Sequence, residues 1–295
     1  MKTQRKIKTP LALRLIGWAF PKVESIAPWF AKKWFVKIFF GTAKYKAPVA
    51  EAQMAELATK YQIDFQGKKV QVYEWGEGKP VLFVHGWMGR ATQFRKFYPA
   101  FANAGYKVVS FDSTGHGQSE GSSSHLMEFV GIIERLQQNY RQFEMIVGHS
   151  LGGVASFHAA LNGITDRLVM ISSPTVGAYI TEEFRKKLKA SSKMVDYFNE
   201  YIENKYGRSF ESYSVSHNIN DLKEVDLLLI HDEDDKEVDI FNAELIKHKY
   251  PAAKLLKLSG NGHTRILKNE TVVDEVLNFI GKINQDKPIE LISVH

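Results

Sequence analysis

Gly148-His149-Ser150-Leu151-Gly152 is a G-x-S-x-G motif. It directly follows the apolar run Met145–Val147 and opens a helical pattern over 151–162. A serine on such a sharp strand-to-helix turn is forced into a strained backbone with its Oγ exposed, and glycines at both flanks avoid clashes within the turn. The helix that follows aims free N–H groups at any oxyanion that develops nearby. That strand-to-helix context is what makes the motif specific; a glycine-rich turn with a capping serine is the alternative reading.

A serine hydroxyl becomes nucleophilic only when a base takes its proton. The chain has 10 His. His263 is the candidate base, because Ser259-Gly260-Asn261-Gly262-His263 is a glycine-rich loop after the last strand pattern, at the same sheet edge as Ser150. His149 neighbours the serine but is expected to point away from the tip of the turn. His85, His116 and His231 also follow strand patterns, and loop-anchoring hydrogen bonds are expected of them. A histidine base needs an acid to fix its tautomer. The run His231-Asp232-Glu233-Asp234-Asp235 follows the apolar strand Leu227–Ile230 and offers three. Asp232 lies too close to the strand end. Asp235 sits furthest along the turn, and Asp234 is its rival.

These side chains need a frame. Ile63–Gln66 and Lys69–Trp75, on either side of Gly67-Lys68, predict a β-hairpin. Val81–Val84, Lys107–Phe111, Met145–Val147, Leu168–Ser172, Asp226–Ile230 and Lys254–Leu258 are short, mostly apolar runs, with helical stretches near 91–103, 124–139 and 151–162 between the earlier ones. Such runs mark strands buried on both faces, and their alternation with helices marks a doubly wound, mostly parallel sheet. Between Pro174 and Leu227 there is no strand pattern; Thr181–Lys193 and Val195–Tyr206 are helical instead. An insertion at about 175–224 is expected to act as a small helical lid, with Phe184, Leu188, Met194, Tyr197 and Phe198 lining a substrate pocket.

The chain has 295 residues, 44% of them hydrophobic and 24% charged, the balance of a globular protein able to bury a sizeable core. There is no Cys, which excludes disulfides, a cysteine nucleophile and thiolate metal sites, and fits a reducing, cytoplasmic compartment. No apolar run approaches the roughly 20 residues of a membrane-spanning helix. The net charge of +6 is uneven: residues 1–48 carry +10, with Glu24 their single acid, and the rest carries −4. The same leader holds nine aromatic residues, among them Trp18, Trp29 and Trp34. Pro21 and Pro28 divide it into helices expected over 11–20 and 29–40, and Pro48 opens a third over 48–60. Met1–Thr9 and Leu11–Phe20 have the lengths of the basic and apolar parts of a signal peptide, but Arg14 interrupts the apolar run and no small-x-small site follows. The division expected is thus a basic, aromatic helical extension over 1–60 and a domain over 61–295. The density of Trp and Phe points to an apolar partner for 1–48, either the body of the protein or a membrane surface with peripheral contact, and not to nucleic acid.

Residues 62–284 resemble the α/β-hydrolase superfamily. The order Ser150…Asp235…His263 matches its Ser…Asp…His order. His85-Gly86-Trp87 resembles its HG-x oxyanion motif. Phe111-Asp112-Ser113-Thr114-Gly115-His116-Gly117-Gln118-Ser119 resembles its D-x-x-G-H-G-x-S turn. Ile230–Val238 resembles its h-G-x-x-D-x-x-V acid turn, which places the acid at Asp235, although Asp232 stands where glycine is usual. The resemblance implies an α/β-hydrolase fold with a helical lid and a serine hydrolase of the esterase or lipase kind. It would be cofactor-free and act on a small, apolar ester or thioester, with the oxyanion held by the backbone N–H groups of Trp87 and Leu151. Amide or C–C bond hydrolysis, and a non-catalytic binding protein on the same fold, are the alternatives. Resemblance to haloalkane dehalogenases or epoxide hydrolases would require aspartate at position 150. The residues that bind substrate are not identified by the sequence.

Overall fold

Alternating apolar and helical segments become, in a computed structural model that describes residues 11–140 and 142–286, one eight-stranded sheet with flanking helices. The basic run Met1–Thr9 lies outside the described residues. In chain order the main elements are α1 (Leu11–Ile26), α2 (Pro28–Phe40), α3 (Val49–Glu56), β1 (Thr59–Phe65), β2 (Lys68–Trp75), β3 (Lys79–Val84), α4 (Phe97–Asn103), β4 (Tyr106–Phe111), α5 (Leu126–Gln137), β5 (Met145–His149), α6 (Leu151–Leu161), β6 (Arg167–Ile171), α7 (Gly177–Leu188), α8 (Ser192–Tyr206), β7 (Asp226–Asp232) and β8 (Lys254–Leu258). Helices Phe241–Lys249 and Glu270–Asp286 follow β7 and β8.

The sheet order is β1-β2-β4-β3-β5-β6-β7-β8. The strands from β4 to β8 pair in parallel, and β1 and β2 run antiparallel at one edge. The β1–β2 hairpin turns at Gln66-Gly67, one residue earlier than the sequence pattern indicates. Both residues have positive φ, 52° and 75°, as a tight hairpin turn requires. Successive side chains of β3 face opposite sides. Val81 and Phe83 join Phe94, Phe97, Val276 and Ile280 in one buried layer, while Leu82 and Val84 join Phe129, Ile133, Ala155 and Ala159 in the other. All five residues of β5 and of β6 are buried. That is why these strands show apolar runs and not an alternation.

The chain divides into two compact units. One comprises residues up to Gly41 together with Val176–His217; the other comprises Thr42–Thr175 together with residues from Asn218 onward. The boundary after the leader therefore falls at Gly41 and not near residue 60. Residues 42–58 belong with the sheet: Met54 and Ala55 pack on its core, Trp75 Nε1–H donates to Met54 O at 3.0 Å, and Arg90 donates to Tyr45 O at 2.6 Å with its guanidinium 4.1 Å above the Tyr45 ring.

Within the smaller unit the leader and the insertion share one core. Phe20, Ala31 and Phe35 from the leader are buried with Leu188, Met194, Phe198 and Ile202 from the insertion. Phe35 meets Phe184 edge-on at 4.9 Å between ring centroids, and Phe39 lies 4.4 Å from Phe198. Phe184, Leu188, Met194 and Phe198, expected to line a substrate pocket, are instead occupied with the leader's aromatic face. α1 also continues through Pro21, where a helix end was expected. A Cβ on Gly17, four residues before that proline, would stand 2.8 Å from the Lys187 carbonyl oxygen, so the glycine lets α1 approach the end of α7. Glu24, the leader's single acid, accepts from both Ser191 N–H and Ser191 Oγ–H at the start of α8.

Phe35 is fully buried, whereas Trp29 is 65% exposed. Phe35→Ala should therefore lower stability by about 3–5 kcal/mol, and Trp29→Ala by under about 0.5 kcal/mol, in denaturant unfolding. Equal, small effects would mean that the leader does not form this core.

Candidate active site

Ser150 sits between β5 and α6 with φ 53° and ψ −123°, a conformation costing about 1–3 kcal/mol for a residue with a Cβ. Its neighbours hold it there. Ser150 N–H donates to Ile171 O of β6 at 2.9 Å, and Ser150 O accepts from Gly153 N–H at 3.0 Å. A Cβ on Gly148 would collide with the backbone of Gly152 and Gly153, and one on Gly152 would collide with the Val84 and His85 carbonyls. The two motif glycines thus permit the crossing of β5, α6 and the end of β3.

Gly86 brings a second backbone segment to the serine. A Cβ there would lie 2.8 Å from Ser150 Cβ. Gly86–Gly89 is a tight turn closed by Gly89 N–H to Gly86 O at 3.0 Å, with Met88 at φ 56°. Among the described residues neither Trp87 N–H nor Leu151 N–H has a hydrogen-bond acceptor. His85 fixes this turn from below: its Nε2 accepts from Ser113 N–H at 3.0 Å and its Nδ1–H donates to Gly86 O at 2.7 Å. The Asp112–Ser119 turn carries that support. Asp112 accepts from Ala91 N–H, Gln118 N–H and the Tyr73 hydroxyl, at 2.8, 2.8 and 3.0 Å.

The acid turn and the histidine loop meet. His263 Nδ1–H donates to Asp235 Oδ2 at 2.8 Å, the bond that in a neutral imidazole selects the tautomer with Nε2 free to accept a proton. Asp235 Oδ1 accepts from Glu237 N–H at 2.8 Å and Val238 N–H at 3.0 Å. Burial acts to raise the Asp235 carboxyl, but the His263 bond and charge and these two amides outweigh it and hold it below the ordinary aspartate value. Asp234 turns elsewhere, accepting from Gly260 N–H at 2.8 Å. Asp232 is neither free nor part of this pair. It accepts from Asn261 N–H and Asn261 Nδ2–H, both at 2.9 Å, and so straps the histidine loop to the end of β7. The loop itself turns on Gly260 and Gly262, with φ 84° and 65°.

His149 has a role that its sequence position did not reveal. Its Nε2–H donates to His263 O at 2.9 Å, and the two rings lie 4.8 Å apart. Ser150 is thus joined to the His263 loop through its immediate neighbour. Among the described residues no hydrogen bond links Ser150 Oγ to His263. Such bonds commonly tighten only when substrate is bound. His85, His116 and His231 anchor loops, as expected: His116 Nδ1–H donates to Thr114 O at 2.9 Å, and His231 Nε2–H donates to Val238 O at 2.8 Å. Among the described residues no cluster of three or more His, Asp or Glu is arranged to hold a metal ion.

The strand order, the turn at Ser150 and the crossing at Gly152 define an α/β-hydrolase fold. Residues 79–187 match the alpha/beta hydrolase fold family. A serine hydrolase-like protein of Homo sapiens is 34% identical over 110 residues, covering 34% of this chain and 53% of that protein. Epoxide hydrolase A of Mycobacterium tuberculosis is 29% identical over 158 residues, covering 48% of each. The matches therefore span about half the length of these relatives. Among solved structures, a putative lipase from Acinetobacter baumannii superposes with a TM-score of 0.63 at 14% identity, over 83% of this chain and all of that one. That likeness is one of fold.

Burial pushes the His85 imidazole down to about 4 and those of His116 and His149 to about 3. An unfolded histidine titrates near about 6.5, so the unfolded chain takes up these protons first as pH falls. The stability these groups contribute is complete above pH about 6.5 and is lost as pH falls through their folded values. In His116→Gln, the slope of unfolding free energy against pH between about 6.5 and 4.5 should decrease by about one proton. An unchanged slope would show that His116 is not held neutral.

Proposed function

We propose that the protein is a serine hydrolase that cleaves an ester or thioester through an acyl-enzyme on Ser150. The observation that carries this reading is the strained Ser150 turn, φ 53° and ψ −123°, in a unit that also pairs His263 Nδ1 with the buried Asp235 carboxylate at 2.8 Å. His263 Nε2 takes the Ser150 proton as Oγ attacks the carbonyl carbon. The negative charge on the carbonyl oxygen falls to the unpaired N–H groups of Trp87 and Leu151, and each such donor is worth about 100- to 1000-fold in rate. The tetrahedral intermediate collapses, His263 returns its proton to the leaving alcohol or thiol, and the acyl group stays on Ser150. Water, deprotonated by His263, then releases the acid by the same path reversed. Asp235 keeps the proton on His263 Nδ1 and stabilises the imidazolium.

Epoxide opening, suggested by the names of some relatives, does not fit, because serine occupies the position where that resemblance would require aspartate. Several hydrogen bonds separate the three aspartates of the acid turn by role, and this makes the proposal testable residue by residue. Ser150→Ala should abolish labelling by a fluorophosphonate probe and hydrolysis of p-nitrophenyl esters while leaving the melting temperature unchanged. Asp235→Asn should lower kcat about 10⁴-fold, by analogy with other triads, and Asp234→Asn far less. Full activity in Ser150→Ala, or a larger loss at Asp234 than at Asp235, would overturn this assignment.

A further inference from the structure

The α1–α2 hairpin buries one side in the core of its unit and leaves the other apolar. On α1, Leu15, Trp18, Lys22 and Ile26 recur at spacings of three, four and four residues, so they form one stripe along the helix. Leu15 is 57% exposed, Trp18 64% and Ile26 84%; beyond Ala27 the apolar surface continues with Trp29 and Phe30. Single exposed apolar residues are ordinary, but five large ones on two consecutive helices mark an interaction surface.

The charges around them indicate its partner. Lys22 Nζ lies 3.4 Å above the Trp18 ring, and Lys33 Nζ lies 5.6 Å above the Trp29 ring. Arg14 and Lys37 are also exposed on these helices. Glu24, the only acid within residues 1–48, is engaged with Ser191. The exposed face of α1 and α2 thus offers cations beside indole rings, and the single acid of these two helices is held by Ser191. Indole and lysine at one level suit a bilayer interface, where the ring enters the headgroup region and the ammonium meets lipid phosphate. No described helix is long and apolar enough to cross a membrane, so any such contact lies in the interface plane.

We propose that the exposed face of α1 and α2, built on Leu15, Trp18, Ile26, Trp29 and Phe30 and flanked by Lys22, Lys33 and Lys37, docks on an anionic lipid bilayer. This goes beyond the hydrolase reading and does not depend on it. The apolar side chains supply insertion, and the lysines supply selectivity for anionic headgroups. None of the named residues belongs to the proposed catalytic apparatus.

The test is co-sedimentation of the full chain with vesicles of phosphatidylcholine alone and of phosphatidylcholine with phosphatidylglycerol, alongside size-exclusion chromatography without lipid. The wild-type chain should pellet with the anionic vesicles, and brominated acyl chains should quench its tryptophan fluorescence. Trp18→Ser with Trp29→Ser should abolish both effects. Lys22→Gln, Lys33→Gln and Lys37→Gln should each weaken binding to anionic vesicles about fivefold. Unchanged probe labelling at Ser150 and an unchanged melting temperature would show that each variant is folded. Absence of anionic-vesicle binding by the wild-type chain would overturn the proposal. So would undiminished binding by the double tryptophan variant. A wild-type dimer that the tryptophan changes dissociate, with no vesicle binding, would assign the face to self-association and overturn it equally.

Discussion

A serine backbone at φ 53° and ψ −123° is unfavourable by about 1–3 kcal/mol, and it survives only where its surroundings over-determine it. Here three elements do so. β6 takes the serine's N–H, α6 takes its carbonyl, and the end of β3 is close enough that Gly152 can carry no side chain. The site therefore depends on β5 being paired on both sides within the sheet. A strand at the edge could not supply these constraints. The same crossing places the Gly86–Gly89 turn against Ser150 Cβ, so the strained serine and the two unpaired amides follow from one packing arrangement.

Three aspartates within four residues would repel one another in an open turn. In this one, each carboxylate is turned toward donors. Asp232 receives the two Asn261 N–H groups, Asp234 receives Gly260 N–H, and Asp235 receives Glu237 N–H, Val238 N–H and His263 Nδ1–H. Charge-assisted bonds of this kind are about twice as strong as neutral ones. Two of the three aspartates therefore fasten the histidine loop, and one holds the histidine itself. Asp232, at a position where the resembling turn usually has glycine, gives the loop an additional strap. Asn261 extends that strap by accepting from Asn269 Nδ2–H at 3.1 Å.

Much of this frame was legible in the sequence because local patterns encode it. All eight strands overlap the short apolar runs or the hairpin pattern, and the central ones are recognisable because they are buried on both faces; β1 departs most, starting at Thr59 inside the helix expected over 48–60. Ser150 was legible because its two flanking glycines answer a local steric demand. Among Asp232, Asp234 and Asp235, position along the turn favours Asp235 but leaves Asp234 a rival, and the resemblance to the acid turn is what places the acid at Asp235. Residue types alone do not separate them, since the choice depends on which carboxylate faces a loop 28 residues later. His149 eluded the reading for the same reason. Its partner is a carbonyl 114 residues away, and nothing next to it in sequence signals that bond. The helix end expected at Pro21 failed because a proline within a helix can be tolerated when packing holds the turn, and Gly17 allows α1 to lie against α7.

The leader and the insertion illustrate the limit most clearly. Each carries more aromatic surface than a short helical pair can bury alone; the sequence points to a partner for the leader and to a lid over a pocket for the insertion. They are each other's partner: Phe20 and Phe35 on one side, and Phe184 and Phe198 on the other, close one core across about 150 residues of intervening chain. A chain lacking the leader would expose the insertion's Phe184, Leu188, Met194 and Phe198 to water. Its insolubility, or its failure to bind a surface, would then report a broken core and not a lost docking face. The exposed residues Trp18 and Trp29 are separable from that core because Phe20, Ala31 and Phe35 hold the helices in place without them. The leader can therefore be structural on one side while its other side remains available for a different partner.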